Sequence, residues 1–266
     1  LMLRRTLGNA GTVLAAVFLL ISPSLLYYSR FARNDVPVAV FTVMMFGGVW
    51  RYRSDRRLRW LLVTAAGLGL SFASKETTYI AAAVLLLYLN AALAHALFEQ
   101  RLAGARPRLI DRVADGIWLF PIAWVLAALW GPLAGVRRRL RITDRPAEAD
   151  ALLVVGTLTL PALAALARIP LHAAGTDAGP FSPIAAAVIV GLLLGTLLVG
   201  WLWRLDWWLA CAAVFFAITV PLYMSMGTNV EGVAGLFWNS LSYWLDQQEV
   251  RRGTQPWFYY LMLVPL

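Results

Sequence analysis

Lys75 is the single lysine of the chain, and it lies in Phe72-Ala73-Ser74-Lys75-Glu76-Thr77-Thr78 between two apolar runs. Every other cation is an arginine. Upstream, Tyr27-Tyr28-Ser29-Arg30-Phe31-Ala32-Arg33-Asn34-Asp35 breaks the hydrophobic pattern in the same way. A charge at the centre of a bilayer costs roughly 2.5–3.5 kcal/mol even on the mild insertion scale, so such groups belong at span ends or in cavities. Late in the chain, Gln247-Gln248-Glu249-Val250-Arg251-Arg252-Gly253 supplies a third charged stretch. Arginine grips phosphate as a planar fork, whereas lysine acts as a compact point charge. Arg30, Arg33, Lys75, Arg251 and Arg252 beside Asp35 and Glu76 suit an anionic lipid head group together with a hydroxyl-bearing acceptor.

Each of these residues also has a plainer reading. Arg30 and Arg33 could hold a span end against lipid head groups, and Lys75 could simply pair with Asp35. Asp35 stands before Val36-Pro37, and Asp followed by a first-turn proline is a helix-start signal, so it could serve as an N-cap. His95 and His172 stand alone, without ligand spacing, and read as span-end or loop residues. Cys211 sits in an apolar run and reads as an inert buried thiol. No set of residues is assigned as metal ligands.

The elements that must position the charged islands are membrane spans. Of 266 residues, 61% are hydrophobic and only 14% are charged; mean hydropathy is +0.69. Soluble domains carry about 25% charged residues, and no polar stretch here exceeds an ordinary loop. The expected fold is all-α: one polytopic, membrane-embedded helix bundle over 1–266 with about eight or nine hydrophobic segments. Candidate spans are 6–28, 36–50, 58–73, 77–97, 116–135, 150–168, 183–203 and 205–222, with another starting near Pro256. The chain opens on Leu1 and closes at Leu266 inside an apolar run, so it is expected to be a piece truncated at both ends. Spans this apolar carry little amphipathic signal, and their buried faces cannot be assigned from periodicity. No internal repeat or flexible linker is visible.

Arginine orients the bundle. The formal charge of +9 is explained by cytoplasmic anchoring rather than by nucleic acid. With Arg4 and Arg5 inside and the first four spans alternating, Arg51, Arg53, Arg56, Arg57 and Arg59 fall inside, and both charged islands fall outside. If 116–135 crosses once, 14 cations lie inside and 9 outside; if it dips in and returns, the split is 17 to 6. The second arrangement obeys the positive-inside rule better and is preferred. Pro121 and Gly131-Pro132 would help such a break. It places 51–59, 99–115 and 136–149 on the cytoplasmic face, and 29–35, 74–78 and 223–256 on the outer one. Within 223–256, Val233, Leu236, Phe237, Leu241 and Trp244 fall near helical spacing, the pattern of an amphipathic helix lying in the interface. A plain interfacial loop is the other reading.

The islands resemble a known family. Ser22 to Phe31 with Asn34-Asp35, then Ser74-Lys75-Glu76-Thr77, then Tyr243-Trp244-Leu245, Gln247-Gln248, Arg252-Gly253 and Gln255-Pro256-Trp257 are similar to the prokaryotic flippase-activity-associated membrane proteins. These belong to the GT-C glycosyltransferase superfamily, near the protein O-mannosyltransferases and the aminoarabinose transferases. The resemblance implies a multi-pass cell-envelope enzyme that moves a sugar from a polyprenyl-phosphate donor to an acceptor on the extracytoplasmic side, as in protein glycosylation. It implies Asp35 as the catalytic carboxylate of this stretch, with a further acidic base expected in an outer loop upstream of Leu1. Lys75, Arg30, Arg33, Arg251 and Arg252 would bind the donor phosphate, supported by Glu76, Tyr28, Gln247 and Gln248. It also implies a divalent metal as a candidate cofactor, and membrane lipid and glycan-assembly or flippase components as partners. The rival readings are a transporter or flippase-associated protein and a non-catalytic scaffold in lipid-linked glycan assembly. Transporters commonly show internal repeats and broken helices at the midplane. Here the charges sit at one face, which favours the enzyme.

Overall fold

A computed structural model of the chain describes residues 4–23, 34–102, 146–176 and 178–247. Among them the architecture is all-α, without strands. In chain order the helices are α1 (Arg4–Ile21), α2 (Asp35–Asp55), α3 (Leu58–Ser74), α4 (Thr78–Leu102), α5 (Ala147–Thr159), α6 (Arg168–Ala173), α7 (Pro183–Trp203), α8 (Leu205–Tyr223) and α9 (Ser240–Gln247). A 3-10 segment, Leu160–Ala167, joins α5 to α6. Three stretches are long and apolar enough to cross a membrane: Ala147–Ala173, Pro183–Trp203 and Leu205–Tyr223. Shorter apolar helices cover Leu7–Ile21, Leu58–Ser74 and Thr78–Leu93. The chain is a membrane protein. The expected segments at 116–135 and from Pro256 lie outside the described residues.

α5 is the centre of the bundle. Its sequence, Ala147 to Thr159, is apolar on nearly every side, and all of its residues are buried. A helix hydrophobic all round is one that other helices surround, and α2, α3, α4, α7 and α8 all touch it. Pro161 has no N–H to continue the α-helical ladder. The backbone tightens there into the 3-10 turn, and α6 follows. The expected span 150–168 is therefore longer at both ends, and its middle is not α-helical.

α2 and α3 form a tight antiparallel pair made possible by small residues. A Cβ on Gly67 would lie 2.8 Å from the Met45 nitrogen and 2.9 Å from the Phe41 carbonyl oxygen. Close approach of backbones is the usual role of glycine at helix–helix contacts in membranes. Gly67→Leu is thus expected to prise α2 from α3. Overpacking typically costs about 1–3 kcal/mol, and against backbone the upper end applies. The yield of monodisperse protein on size-exclusion chromatography should fall sharply, whereas Gly191→Leu, at a glycine with open space around it, should leave it unchanged.

Contacts along the bundle define its two ends. The Tyr79 hydroxyl donates to the Ala162 carbonyl at 3.3 Å, and a Cβ on Gly156 would stand 3.7 Å from Leu86. α4 and α5 are therefore antiparallel, and Leu102 and Ala147 belong to the same end. Tyr52, Arg53 and Arg56 reach Glu148 and Asp150 at that end. At the other end Tyr223 donates to the Phe72 carbonyl at 2.9 Å, beside Lys75. Both flanks of 103–145 lie at the arginine-rich end, and the segment 116–135 expected to re-enter lies outside the described residues. Cysteine labelling in intact cells tests the re-entry: Thr143→Cys should react with an impermeant maleimide only after permeabilisation, like Arg57→Cys, and Thr77→Cys without it. The native Cys211 is buried. Labelling of Thr143→Cys alongside Thr77→Cys would mean a single crossing.

The stretch after α8 opens with two short turns, Ser225–Gly227 and Val230–Gly232, and then becomes helical through 233–247, as a π-helical turn, Gly235–Asn239, that runs directly into α9; the residues whose spacing predicts an amphipathic helix are therefore helical. Before residue 233 the helix is held off at Gly227, which adopts φ +93°. The segment covers the Lys75 end of the bundle. Trp238 and Leu241 pack onto Ala164, Ala165 and Ala185.

Candidate functional site

The site is built at the turn between α3 and α4. Lys75 caps α3 in an extended conformation, and its N–H donates to the Ser71 carbonyl. The Thr78 hydroxyl donates to the Lys75 carbonyl at 2.8 Å, which closes the turn and starts α4. On the neighbouring helix the cap position belongs to Asn34, whose side chain does not bond its own helix. Its amide instead donates to the Ser74 carbonyl at 2.9 Å. Asp35 is the first residue of α2, so the reading of Asp35 as the N-cap is corrected by one position. The Asp35 carboxylate accepts a hydrogen bond from the Lys75 ammonium. The pair is partly open: the side chains of Lys75 and Asp35 are 39% and 35% exposed.

Around this pair stand further polar groups. Glu76 follows Lys75 in the turn and acts electrostatically on both Tyr79 and Tyr223. Phe72 and Tyr79 meet edge to face, with centroids 5.1 Å apart, and form an apolar floor beneath the turn. Neither tyrosine was singled out by sequence reasoning. The signal for each was only an aromatic at a span end, which belt residues supply routinely.

Of the residues expected to form the site, the structure brings Asp35, Lys75 and Glu76 to one end of the bundle. Tyr28, Arg30, Arg33, Gln248, Arg251 and Arg252 lie outside the described residues. Gln247 is the last residue of α9. Among the described residues no three His, Cys, Asp or Glu side chains converge. Those present do not make a cage for the divalent metal that the resemblance implies, and no step is assigned to one.

Residues 1–104 match a family model described as dolichyl-phosphate-mannose-protein mannosyltransferase. The match supports a membrane glycosyltransferase of the GT-C type. It spans 104 of the 266 residues and includes both Asp35 and Lys75. It does not single out the flippase-activity-associated branch of the superfamily. No curated protein and no solved structure matches the chain.

Proposed function

We propose that this protein transfers a sugar from a polyprenyl-phosphate donor to a hydroxyl-bearing acceptor at the membrane face that carries Asp35 and Lys75, and that this face is extracytoplasmic. The observation that carries the reading is the contact of the Lys75 ammonium with the Asp35 carboxylate inside the stretch that matches the mannosyltransferase family model. The family description names a dolichyl-phosphate sugar, whose long apolar tail needs a membrane fold to hold it. On this reading Asp35 is the catalytic carboxylate. Lys75, together with Arg30, Arg33, Arg251 and Arg252 of the other two charged stretches, binds the donor phosphate.

The chemistry is a displacement at the anomeric carbon. The acceptor oxygen forms the new bond to that carbon as its proton passes to the carboxylate. The bond from the anomeric carbon to the phosphate oxygen breaks, and its electron pair leaves with the lipid phosphate. The ammonium occupies one acceptor position of Asp35, and a carboxylate has about four, so a hydroxyl can be held there at the same time. Positive charge beside the leaving phosphate stabilises the charge that develops in the transition state. The test is transfer of radiolabelled mannose from polyprenyl-phosphate-mannose in proteoliposomes of the wild-type protein. Loss of transfer in the Asp35 and Lys75 variants supports the reading, and full retention in both overturns it.

A further inference from the structure

A second polar cleft opens at the same end of the bundle, between α6 and α9. Its two lobes have volumes of about 380 and 340 Å³ and share Arg168, Ala178 and Asp246. Each falls within the roughly 300–1,000 Å³ typical of small-molecule sites. Trp238 forms part of one wall, and it packs on the cluster that Tyr79 also joins, so the cleft neighbours the Lys75 turn. From the geometry we infer that this cleft binds a neutral, hydroxyl-rich ligand, a saccharide.

The lining chemistry selects that class. Arg168 Nη1 lies 3.3 Å from both carboxylate oxygens of Asp246, so the cleft holds one cation and one anion side by side. A phosphate would meet Asp246 as a like charge, and an amine would meet Arg168. A sugar hydroxyl donates to one and accepts from the other, since guanidinium only donates and carboxylate only accepts. His172, Asn239 and Tyr243 add groups around the rim. The Ser242 hydroxyl, on a lining residue only 7% exposed, has no hydrogen-bond partner among the described residues. A buried hydroxyl without a partner is costly, and a ligand or ordered water would relieve it. Tyr243 is 55% exposed and offers an apolar ring with a polar tip, the amphipathic surface that suits a ligand with one dry and one wet side.

The contrast with the other large groove sharpens the assignment. Between α2 and α4, Val43, Phe46, Trp50, Val84 and Leu85 line a cavity of about 460 Å³ with almost no polar surface. That groove suits a hydrocarbon chain; the α6–α9 cleft does not. Within the transfer reaction proposed above, the cleft's occupant is the glycan portion of the acceptor, and this identification rests on that reading. The binding itself does not.

Saturation-transfer NMR on the protein in phosphatidylcholine nanodiscs tests the inference without turnover, with mannotriose, maltotriose and N,N′,N″-triacetylchitotriose as probes. At least one trisaccharide should show saturation transfer. Asp246→Asn and Tyr243→Ala, both at exposed positions where folding is not at stake, should each reduce it fivefold or more. Asp35→Asn should leave it intact even where mannose transfer is lost, which separates failure of the cleft from failure of the proposed reaction. The inference is overturned if none of the three sugars binds, or if binding survives both cleft variants. It is also overturned if inorganic phosphate binds in a manner abolished by Arg168→Gln, which would make the cleft an anion site.

Discussion

Asp35→Asn is expected to lower sugar transfer by about 10²–10⁴-fold, the usual contribution of a positioned general base, while the protein still inserts and purifies as a monodisperse species. The amide keeps the size of the side chain and one acceptor oxygen for Lys75, so the α2–α3 pairing survives. What it loses is the negative charge and the ability to take a proton from the acceptor. The N-cap of α2 is Asn34 rather than Asp35, so the substitution leaves the capping residue in place. Lys75→Ala should act differently, raising the donor concentration needed for half-maximal rate, because it removes a cation from beside the leaving phosphate. Lys75→Arg should recover only part of that loss, since a planar fork does not occupy the place of a compact ammonium. Donor titrations in proteoliposomes measure all three. Should Asp35→Asn and Lys75→Ala both keep wild-type rates, the pair is only a strut between two helix ends.

The second large effect is structural and lies at the opposite end. Asp150→Ala should cost about 3–5 kcal/mol, the range found when one partner of a buried charged network is removed. Asp150 is 6% exposed and accepts from the Tyr52 hydroxyl at 2.6 Å and the Trp203 indole at 2.9 Å. Arg56 approaches within 4.0 Å. One carboxylate thus ties α2, α5 and α7 together. Tyr52 and Trp203 are both almost wholly buried, and removing their acceptor strands two donors at about 1–3 kcal/mol each. Asp150→Asn keeps an acceptor oxygen and should cost clearly less. Heating detergent-solubilised samples and following the surviving monodisperse fraction by fluorescence-detected size exclusion would rank them. A melting temperature for Asp150→Ala equal to wild type would mean that the network contributes nothing net.

Glu148 and Asp150 show where sequence reasoning stopped. Both stand at the start of an apolar run, where nothing in the local sequence singles them out. Their donors come from residues about 50 to 100 positions away, and no local spacing encodes such pairings. The same holds for Tyr223, whose bond to Phe72 spans 151 positions. Nothing local marks Arg168 either, and its pairing with Asp246, 78 residues on, makes it a wall of a cleft.

Composition alone was enough to specify a helical membrane bundle, because apolar runs of this length leave backbone groups no partners in lipid except within helices. The seams between those runs were equally legible. Charges are too expensive at the bilayer centre to be placed idly, so Asp35 and Lys75 marked the polar end without any coordinates. Which faces meet was decided only by tertiary packing. The moment that would point a helix toward its neighbours vanishes when every side is apolar, as in α5, and glycine contacts such as Gly67 on Met45 then set the register. The packing of the helix over 233–247 was likewise settled in three dimensions, where Trp238 and Leu241 are buried on the bundle.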